Sequence, residues 1–352
     1  MEFVESNTPA PHYKLLLIGF GNVGQALARL LLRKAPALER NPGLTYSVVG
    51  IATGRRGIAL SPGGLDLEQV MDRFQAGASL SALSTETPPP DVASLIRSSG
   101  ADVLFENTPV NYSSGQPAAD HLRLALEHGM HAVTANKGPV VHAYEPLKRL
   151  AQANGRKFLF ESAVMDGAPL FSLFREALPA ADLRSFRGIL NSTTNLILSR
   201  MEAGETFDRA VAYAQSVGIA ETDPSGDVDG WDAAIKVAAL ATVLMGVSVK
   251  PGDVERQGIR EISQADVAHA RDQGKRWKLV CQASRQGAGV QARVSPELVP
   301  PESPLYGVEG TTSIVQFETD VLGLLTLIEA DPGPHTTAYG LLADFLNAVK
   351  VL

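Results

Sequence analysis

K-L-L-L-I-G-F-G-N-V-G, residues 14–24, joins a short apolar run to three glycines in the spacing G-x-G-x-x-G. The apolar run is typical of a strand buried on both faces, and residues 25–34 have the pattern of a helix. In such a turn Gly19 permits the tight bend, Gly21 lets backbone approach a pyrophosphate, and Gly24 lets helix pack on strand. The free N–H groups at the helix start then face the phosphates. The stretch predicts the first unit of a dinucleotide-binding domain; the alternative is a purely structural strand-to-helix turn.

The second predicted strand, 46–52, is followed by Thr53-Gly54-Arg55-Arg56, where a dinucleotide-binding domain contacts the adenosine ribose. Sites that prefer NAD usually place Asp or Glu there to accept a hydrogen bond from the 2′-hydroxyl. No acid is present in this chain, and two guanidinium groups suit a 2′-phosphate. We therefore predict NADP rather than NAD, with Thr53, Arg55 and Arg56 at the cofactor; the alternative is a basic surface loop.

Two further predicted strands, 102–106 and 131–134, end next to polar residues. The first is followed by N-T-P, which contains Thr108, and the second by A-N-K-G-P, which contains Lys137. Because α/β folds bind ligands at the carboxyl ends of parallel strands, we expect Thr108 and Lys137 to meet the cofactor or the substrate.

The composition is that of a globular protein with about two domains. The chain has 352 residues, 45% hydrophobic and 20% charged content, and a formal net charge of −7. Lys and Arg form no long run, which argues against nucleic-acid binding. The acidic N-terminus, residues 1–12, lacks the pattern of a signal peptide, and the longest nearly apolar run, 237–249, is too short to span a bilayer. These features predict a cytoplasmic protein without a nucleic-acid or membrane partner.

Cysteine and histidine are both interpreted as structural. Cys281 is the sole cysteine and lies in an alternating strand-like stretch, so we predict a buried, inert thiol. One cysteine also excludes a disulfide within the chain and a cysteine-based metal cage. His128 and His131 straddle a predicted helix end, and no third metal ligand is apparent.

The second half of the chain mixes strands with helices. Residues 276–284 and 290–298 alternate around G-A-G at 287–289, which predicts a hairpin. Predicted strands also cover 158–161, 186–190 and 321–328, and predicted helices cover 168–178, 191–202, 207–217 and 337–349.

The densest cluster of charge is A-E-T-D-P-S-G-D-V-D-G-W-D-A-A-I-K, residues 220–236. Carboxylates this close together repel one another unless a cation is held among them. If a helix begins near Asp229, Asp232 and Lys236 stand four residues apart on one face and can pair. A lysine held in this way, beside acids able to bind an ammonium group, suggests a site for a small zwitterion. The alternative is a solvated acidic turn with an ordinary surface ion pair.

These motifs, in this order, resemble homoserine dehydrogenase over nearly the whole chain, and the acidic segment is the most specific of them. The resemblance implies reversible, NAD(P)H-dependent reduction of L-aspartate 4-semialdehyde to L-homoserine, a step toward threonine, methionine and isoleucine. The other matching stretches are G-F-G-N-V-G (19–24), A-N-K-G-P (135–139), E-S-A-V-M-D-G-A-P (161–169) and G-I-L-N-S-T-T-N (188–195), with weaker ones at 274–280 and 294–300.

The resemblance also implies roles for individual residues. Lys236 would protonate the developing alkoxide, and Asp232 would orient Lys236 or assist the proton transfer. Glu221, helped by Asp227, would hold the substrate ammonium group, and Lys137 would contact the substrate or the nicotinamide. The predicted cofactor contacts are Gly19, Gly21, Asn22, Val23, Gly24, Thr53, Arg55, Arg56, Thr108, Lys137 and Gly333.

A sodium-type monovalent cation and a homodimer are further implications of the resemblance. The cation ligands would be Glu161 and the carbonyls of Val164, Asp166 and Ala168. The implied fold class is α/β, with an N-terminal Rossmann domain and an α+β domain that has a mixed sheet and forms the dimer. The predicted boundaries are 1–155 for the nucleotide domain, 156–310 for the substrate domain and 311–352 for a segment that returns to the nucleotide domain.

The chain departs from the family pattern near its C-terminus. E-A-D-P-G-P-H-T-T-A, residues 329–338, keeps Gly333, but Pro334 and His335 stand where small residues are usual. Thr311-Thr312 replaces an Asn often found before the next strand, and we expect a short form without an ACT-type extension or fused aspartate kinase. Three alternatives remain: a related dehydrogenase for another semialdehyde, a non-catalytic nucleotide-binding homologue, and a specialised enzyme for a larger homoserine-like substrate.

Overall fold

The computed structural model of the protein describes residues 10–350. The prediction that residues 1–12 do not form a signal peptide falls mostly on residues 1–9, which lie outside the described range. The described chain forms two six-stranded sheets. The first has the order β3-β2-β1-β4-β5-β6, and every neighbouring pair is parallel except β2 and β3. Its strands are β1 (His12–Ile18), β2 (Thr45–Ala52), β3 (Ile58–Leu60), β4 (Val103–Glu106), β5 (His131–Thr134) and β6 (Phe158–Leu159).

Strand β1 is central because its apolar run is covered on both faces. Leu15, Leu16, Leu17 and Ile18 are all at most 1% exposed, as expected for a parallel strand between two helical layers. The helices of this domain are α1 (Asn22–Arg40), α2 (Leu67–Gln75), α3 (Val92–Ser98), α4 (Ala118–Glu127), α5 (Lys137–His142) and α6 (Tyr144–Ala153). Helix α1 runs past Pro36, farther than predicted, because Leu38 continues its buried face.

The second sheet has the order β12-β11-β7-β9-β10-β8 and is antiparallel except for β8 beside β10. The predicted hairpin is confirmed, since β9 and β10 pair along their full length. A Rossmann-type domain with a second, mixed-sheet domain is therefore confirmed. The strands are β7 (Leu183–Ile189), β8 (Glu255–Arg256), β9 (Arg276–Gln286), β10 (Gly289–Val299), β11 (Ser313–Thr319) and β12 (Gly323–Glu329).

Helices cover one face of this sheet. The Ala-rich helix α10 packs against β9 and β10 and against α5 of the first domain. The helices of this half are α7 (Ser192–Glu202), α8 (Phe207–Ser216), α9 (Ser225–Val228), α10 (Trp231–Leu244), α11 (Gln264–Asp272) and α12 (Pro334–Val349). Helix α12 packs against α1 and β5, with Leu341 and Phe345 fully buried in the nucleotide-domain core.

The segment after β6 differs most from the sequence prediction. Instead of a helix over 168–178, a shorter helical segment forms, with Phe171 and Ser172 α-helical and a π-helical turn at Leu173–Ala177. The Glu161 carboxylate accepts the backbone N–H groups of Phe171 (2.7 Å) and Ser172 (2.8 Å), and Pro169 has no N–H to donate. Glu161 therefore binds free amides at the start of the helical segment, which begins three residues later than predicted. A second difference is that Lys137 begins α5, capped by Asn136, rather than lying in a loop.

Candidate active site

Asp232 joins two lysines that come from different helices, α5 and α10. Helix α10 begins at Trp231 directly after Gly230, whose φ of 81° lets the chain turn out of α9. Asp232 therefore lies in the first turn, and its Oδ2 is 3.1 Å from Lys236 Nζ, one turn along the helix. Its Oδ1 is 3.1 Å from Nζ of Lys137, which begins α5 at the end of β5. The predicted pairing of Asp232 with Lys236 is confirmed, and the bridge to Lys137 is an addition.

Lys236 keeps one donor free for a ligand. Its Nζ donates to the Leu190 carbonyl at 2.7 Å and contacts Asp232. An ammonium group has three N–H donors. Two of them are therefore committed, and the third faces the cavity that Lys236 lines.

Asn191 contacts both Asp227 and Asp232. The sequence predicted it only as part of a capping segment. Its Oδ1 accepts the Thr194 N–H at 2.8 Å, which caps helix α7. Its Nδ2 donates to Asp227 at 2.7 Å and to Asp232 at 2.9 Å. One amide side chain therefore caps the start of a helix and donates hydrogen bonds to two carboxylates. A capping pattern alone gives no signal for contacts to residues more than thirty positions away.

The pKa values of the Asp227 and Asp232 carboxyl groups are shifted in opposite directions. Burial alone would raise the pKa of Asp232, but Lys137 and Lys236 outweigh it and hold that pKa well below its usual range. Burial and the neighbouring charge of Asp232 raise the pKa of Asp227 above its usual value. Asp232 is therefore held as an anion between two cations. The anionic form of Asp227 would instead be stabilised by a cationic ligand.

These residues line a cavity of about 780 Å³ between the two domains. Glu221, Asp227, Lys137 and Lys236 all face it. Asp229 of the acidic segment does not, because it forms an ion pair with Arg260 on the outer surface. The other lining residues include Pro109, Val110, Tyr112, Ser113, Ser192, Thr193, Ile219, Asp223, Ser225 and Trp231.

The three glycines of the first turn are distinguished by the space around them. A Cβ atom on Gly19 would lie 2.5 Å from the Asn107 carbonyl oxygen, and one on Gly24 would lie 2.5 Å from the Gly19 carbonyl oxygen. Nothing lies within 4 Å of a Cβ on Gly21. Helix α1 starts at Asn22 with no side-chain cap, so the first-turn amides of Asn22, Val23 and Gly24 are available to a ligand.

The turn after β2 is built around Thr53. Its hydroxyl donates to the Gly57 carbonyl at 3.1 Å and accepts the Arg56 N–H at 2.7 Å. The Arg56 guanidinium donates to the Gly77 carbonyl and lies over the Phe74 ring. Arg55 is exposed. Only one of the two predicted guanidinium groups is therefore uncommitted within residues 10–350.

Polar groups crowd the end of β4. The Thr108 hydroxyl donates to Glu106, a fully buried carboxylate that also lies 3.5 Å from His121 Nδ1. Both polar atoms of the Asn107 side chain are buried without a hydrogen-bond partner among residues 10–350. Such atoms normally find a partner, so the Asn107 side chain has both a donor and an acceptor that can bind a ligand. The sequence pattern singled out Thr108 but not Asn107.

The predicted cation loop is fixed against the start of α12. Asp166 has a φ of 39°, and the Thr337 hydroxyl donates to its carboxylate. The fully buried Asp344 accepts the Glu161 N–H at 2.7 Å with one oxygen, while its Oδ1 has no partner in the described chain. Gly333 precedes α12 as its N-terminal cap residue.

The structural interpretation of cysteine and of His131 fits their environments. Burial raises the pKa of the Cys281 thiol to about 12 and lowers that of His131 to about 4, and His131 Nδ1 accepts the Lys157 N–H. Residues 10–350 contain no group of three or more His, Cys, Asp or Glu side chains arranged for a metal. No helix in the same range is long and apolar enough to cross a membrane.

Known proteins resemble this chain along most of its length. A family model described as homoserine dehydrogenase matches residues 169–346, and one described as its NAD binding domain matches residues 19–161. The NAD(+)-dependent homoserine dehydrogenase of Pseudomonas canavaninivorans is 36% identical over 95% of this chain and 96% of its own length. The homoserine dehydrogenase of Methanocaldococcus jannaschii is 34% identical over 95% of this chain and 97% of its own length.

Solved structures agree. A putative homoserine dehydrogenase from Archaeoglobus fulgidus superposes with a TM-score of 0.84 and 31% identity, covering 95% of this chain and 98% of that one. A hyperthermophilic archaeal homoserine dehydrogenase in complex with NADPH gives a TM-score of 0.80 at 30% identity, covering 96% and 97%. The chain therefore belongs to the homoserine dehydrogenase family of NAD(P)-dependent oxidoreductases.

Proposed function

We propose that this homoserine dehydrogenase interconverts L-aspartate 4-semialdehyde and L-homoserine with Lys236 as its proton donor and acceptor. The observation that carries this proposal is the arrangement of Asp232 between Lys137 and Lys236, with a third Lys236 N–H directed at an open cavity. An ammonium group at that position stabilises oxyanion charge and can neutralise it by proton transfer.

The reaction needs few steps from the protein itself. A bound nicotinamide supplies or receives the hydride. As negative charge grows on the aldehyde oxygen, Lys236 donates a hydrogen bond to it and then its proton. Asp232 and the Leu190 carbonyl hold Lys236 Nζ in place, which fixes the direction of the remaining N–H. In the reverse direction Lys236 takes the proton back from the hydroxyl.

We assign the ammonium group of the substrate to the carboxylates of Glu221 and Asp227. Glu221 and Asp227 face the cavity without a lysine partner in the described chain, so an ammonium group would neutralise them. Lys137 is already paired with Asp232 and lies in α5 of the nucleotide domain. We assign it to the substrate or the nicotinamide, and to holding the two halves of the site together.

The nucleotide end fits a dinucleotide. Gly21 leaves open space for a pyrophosphate, and the amides of Asn22, Val23 and Gly24 are free to bind it. Buried, unpartnered atoms of Asn107 lie on the same side of the sheet, next to Thr108. We propose NADP over NAD, with the exposed Arg55 as the main partner of the 2′-phosphate, Thr53 shaping the turn and Arg56 in a supporting position. Gly333 is retained as a cofactor contact.

The loop that resembles a cation site also has the right donors. Because both Glu161 carboxylate oxygens already accept amide N–H groups, we propose its carbonyl as a ligand together with those of Val164, Asp166 and Ala168. Asp344 lies beside Glu161 with one unpartnered oxygen. Burial and the charge of Glu161 raise the pKa of Asp344 well above its usual value, and a bound cation would favour its ionised form. Carbonyl oxygens with one nearby carboxylate suit a monovalent cation such as sodium rather than a transition metal.

A homodimer is proposed through the second sheet. Strand β12 lies at the edge of that sheet. Its residues Leu324 and Ile328 are 70% and 63% exposed, and Val321, in the turn before it, is 65% exposed. Exposed apolar residues on an edge strand mark an interaction surface. A second copy of the chain is the proposed occupant. The cytoplasmic location stays a prediction from the sequence.

The direct test is spectrophotometric, at the nicotinamide absorbance band. Purified protein with L-homoserine should reduce NADP faster than NAD at equal concentration and should leave L-serine unoxidised. Turnover of another hydroxy amino acid in preference to homoserine would favour the alternative dehydrogenase. Binding of NADPH without turnover in either direction would favour the non-catalytic homologue.

A further inference from the structure

Tyr112 enters the substrate cavity from the nucleotide domain. It lies in the loop between β4 and α4, and its side chain lines the cavity together with Lys137, Asp227 and Lys236. The loop is held firmly. The Asn111 carboxamide oxygen accepts three hydrogen bonds from the two residues that follow Tyr112, and His142 Nε2 contacts the Tyr112 carbonyl oxygen at 2.9 Å. The backbone that carries the ring is therefore held by contacts within the protein.

The Tyr112 hydroxyl lies over the acidic segment. A Cβ atom placed on Gly226, in α9, would lie 3.7 Å from that oxygen. Burial and the negative charges of Asp232 and Asp227 raise the pKa of the phenol, while Lys236 acts in the opposite direction. The phenol therefore stays protonated and keeps its hydrogen as a donor.

This hydroxyl is the uncommitted one among those that face the cavity from residues 10–350. Ser113 donates to Asn111, Thr193 donates to the Ile219 carbonyl, Ser192 contacts Ser313, and Ser225 bonds Asp223. Tyr112 has no side-chain hydrogen bond to any of the described residues. A donor aimed into a polar cavity without a protein partner is available to a ligand.

The α-carboxylate is the charged group of the substrate that has not yet been assigned a specific donor. Under the proposed function, Lys236 binds the reacting oxygen, and Glu221 and Asp227 bind the ammonium group. Lys137 can also contact the substrate, but its charge is already balanced by Asp232, whereas the Tyr112 hydroxyl has no partner in the described chain. A phenol hydroxyl supplies a strong, charge-assisted hydrogen bond to a carboxylate.

We propose that Tyr112 is a specificity-determining residue, which donates its hydroxyl hydrogen to the α-carboxylate of the amino-acid substrate. This inference rests on the proposed function. Because Tyr112 belongs to the nucleotide domain and the acids belong to the substrate domain, the amino acid is bound from both sides of the cleft. An amino alcohol without a carboxylate loses this contact.

The test compares two ligands on two variants at equilibrium. The dissociation constants of L-homoserine and of 3-amino-1-propanol, which is homoserine without its carboxylate, are measured by calorimetry on enzyme saturated with NADPH. An alcohol and a reduced cofactor cannot react, so binding is measured whether or not the enzyme turns over. The variants are Tyr112→Phe, which removes only the hydroxyl, and Ser192→Ala, whose hydroxyl belongs to the same cavity lining but contacts Ser313.

We expect Tyr112→Phe to weaken L-homoserine binding about tenfold or more, the usual effect of a hydrogen bond to a charged group, and to leave 3-amino-1-propanol unchanged. Ser192→Ala should bind both ligands like the wild type. Equal weakening of both ligands, or of neither, would overturn the proposal, as would a wild type that does not bind L-homoserine. Wild-type binding of homoserine without turnover under NADP would instead refute the proposed function and leave Tyr112 in its role.

Discussion

The glycine turn at 19–24 and the acidic segment at 220–236 both prepare a site for a charged ligand, but they use different parts of the chain. In the turn, backbone amides and the lack of side chains create the site, and nothing lies within 4 Å of a Cβ on Gly21. In the acidic segment, the side chain of Asp232 is held between Lys137 and Lys236. A site made of backbone amides tolerates substitution poorly, and its groups do not act as acids or bases in the reaction. A site made of ionisable side chains can transfer protons. The comparison predicts that the first region governs binding and the second governs rate.

The largest effect is expected at Lys236. Lys236→Ala removes the proton donor, and a positioned general acid is usually worth about 10²- to 10⁴-fold in rate. We therefore expect kcat for homoserine oxidation to fall by that factor while the dissociation constant for NADPH stays unchanged, as measured by fluorescence titration. Lys34→Ala, on the exposed surface of α1, is the control and should match the wild type in both quantities. A Lys236→Ala enzyme with nearly full activity would contradict the assignment.

Asn191 tests whether the geometry of the acids matters beyond their charge. Asn191→Asp keeps the oxygen that caps α7 but replaces the donor that contacts Asp227 and Asp232. Three carboxylates then face one another, and we expect kcat/KM to fall by about tenfold to a hundredfold, the usual cost of losing hydrogen bonds to charged groups.

The control for Asn191 is another cap. Ser263→Ala removes the cap of α11, far from the cavity, and should cost about 1 kcal/mol in the free energy of unfolding without changing kcat/KM. If Asn191→Asp kept wild-type kinetics, Asn191 would be a helix cap and nothing more.

The glycines allow binding and folding to be separated within one turn. Gly21 has a φ of −76°, which alanine adopts freely, so Gly21→Ala should fold normally and raise the NADPH dissociation constant about tenfold, or about 1.4 kcal/mol. Gly24→Ala would place a Cβ 2.5 Å from the Gly19 carbonyl oxygen and should lower the free energy of unfolding by about 1–3 kcal/mol. Chemical denaturation and fluorescence titration distinguish the two. Equal NADPH affinity in Gly21→Ala and wild type would contradict the assignment of pyrophosphate binding to this turn.

The smallest effect is expected for changes in the turn after β2, which is proposed to bind the 2′-phosphate on the cofactor ribose. Arg55→Gln should lower the ratio of NADP to NAD affinity by about tenfold, because a charge-assisted hydrogen bond to the 2′-phosphate is lost. Arg56→Gln should change the ratio less, since the Arg56 guanidinium already donates to Gly77. The measurement is the dissociation constant of each cofactor with each variant. An unchanged ratio in Arg55→Gln would mean that this turn does not select the cofactor.

The two regions also show which features can be predicted from sequence. The glycine turn, the β9–β10 hairpin and the pairing of Asp232 with Lys236 are local, because each depends on residues within about twenty positions of one another. Local spacing is what a sequence pattern records.

The parts that escaped prediction depend on long-range packing. The bridge from Asp232 to Lys137 spans two domains, and the contacts of Asn191 and the entry of Tyr112 depend on how those domains meet. The predicted helix over 168–178 begins late, at Phe171, where Glu161, ten residues upstream, accepts the amides of Phe171 and Ser172. No local propensity records such a contact. The roles of Glu221, Thr108 and Gly333 and the domain boundaries remain predictions.

The central claim, that one region binds the nucleotide and the other carries out proton transfer, can be tested in a single experiment. NADPH is titrated into wild type, Gly21→Ala and Lys236→Ala, and the single-turnover rate constant for reduction of L-aspartate 4-semialdehyde is recorded at each concentration. We expect a crossed pattern: Gly21→Ala needs about tenfold more NADPH but reaches the wild-type rate constant, whereas Lys236→Ala saturates like the wild type at a rate constant about 10²- to 10⁴-fold lower. A Lys236→Ala enzyme that saturates at the wild-type rate constant would contradict the account.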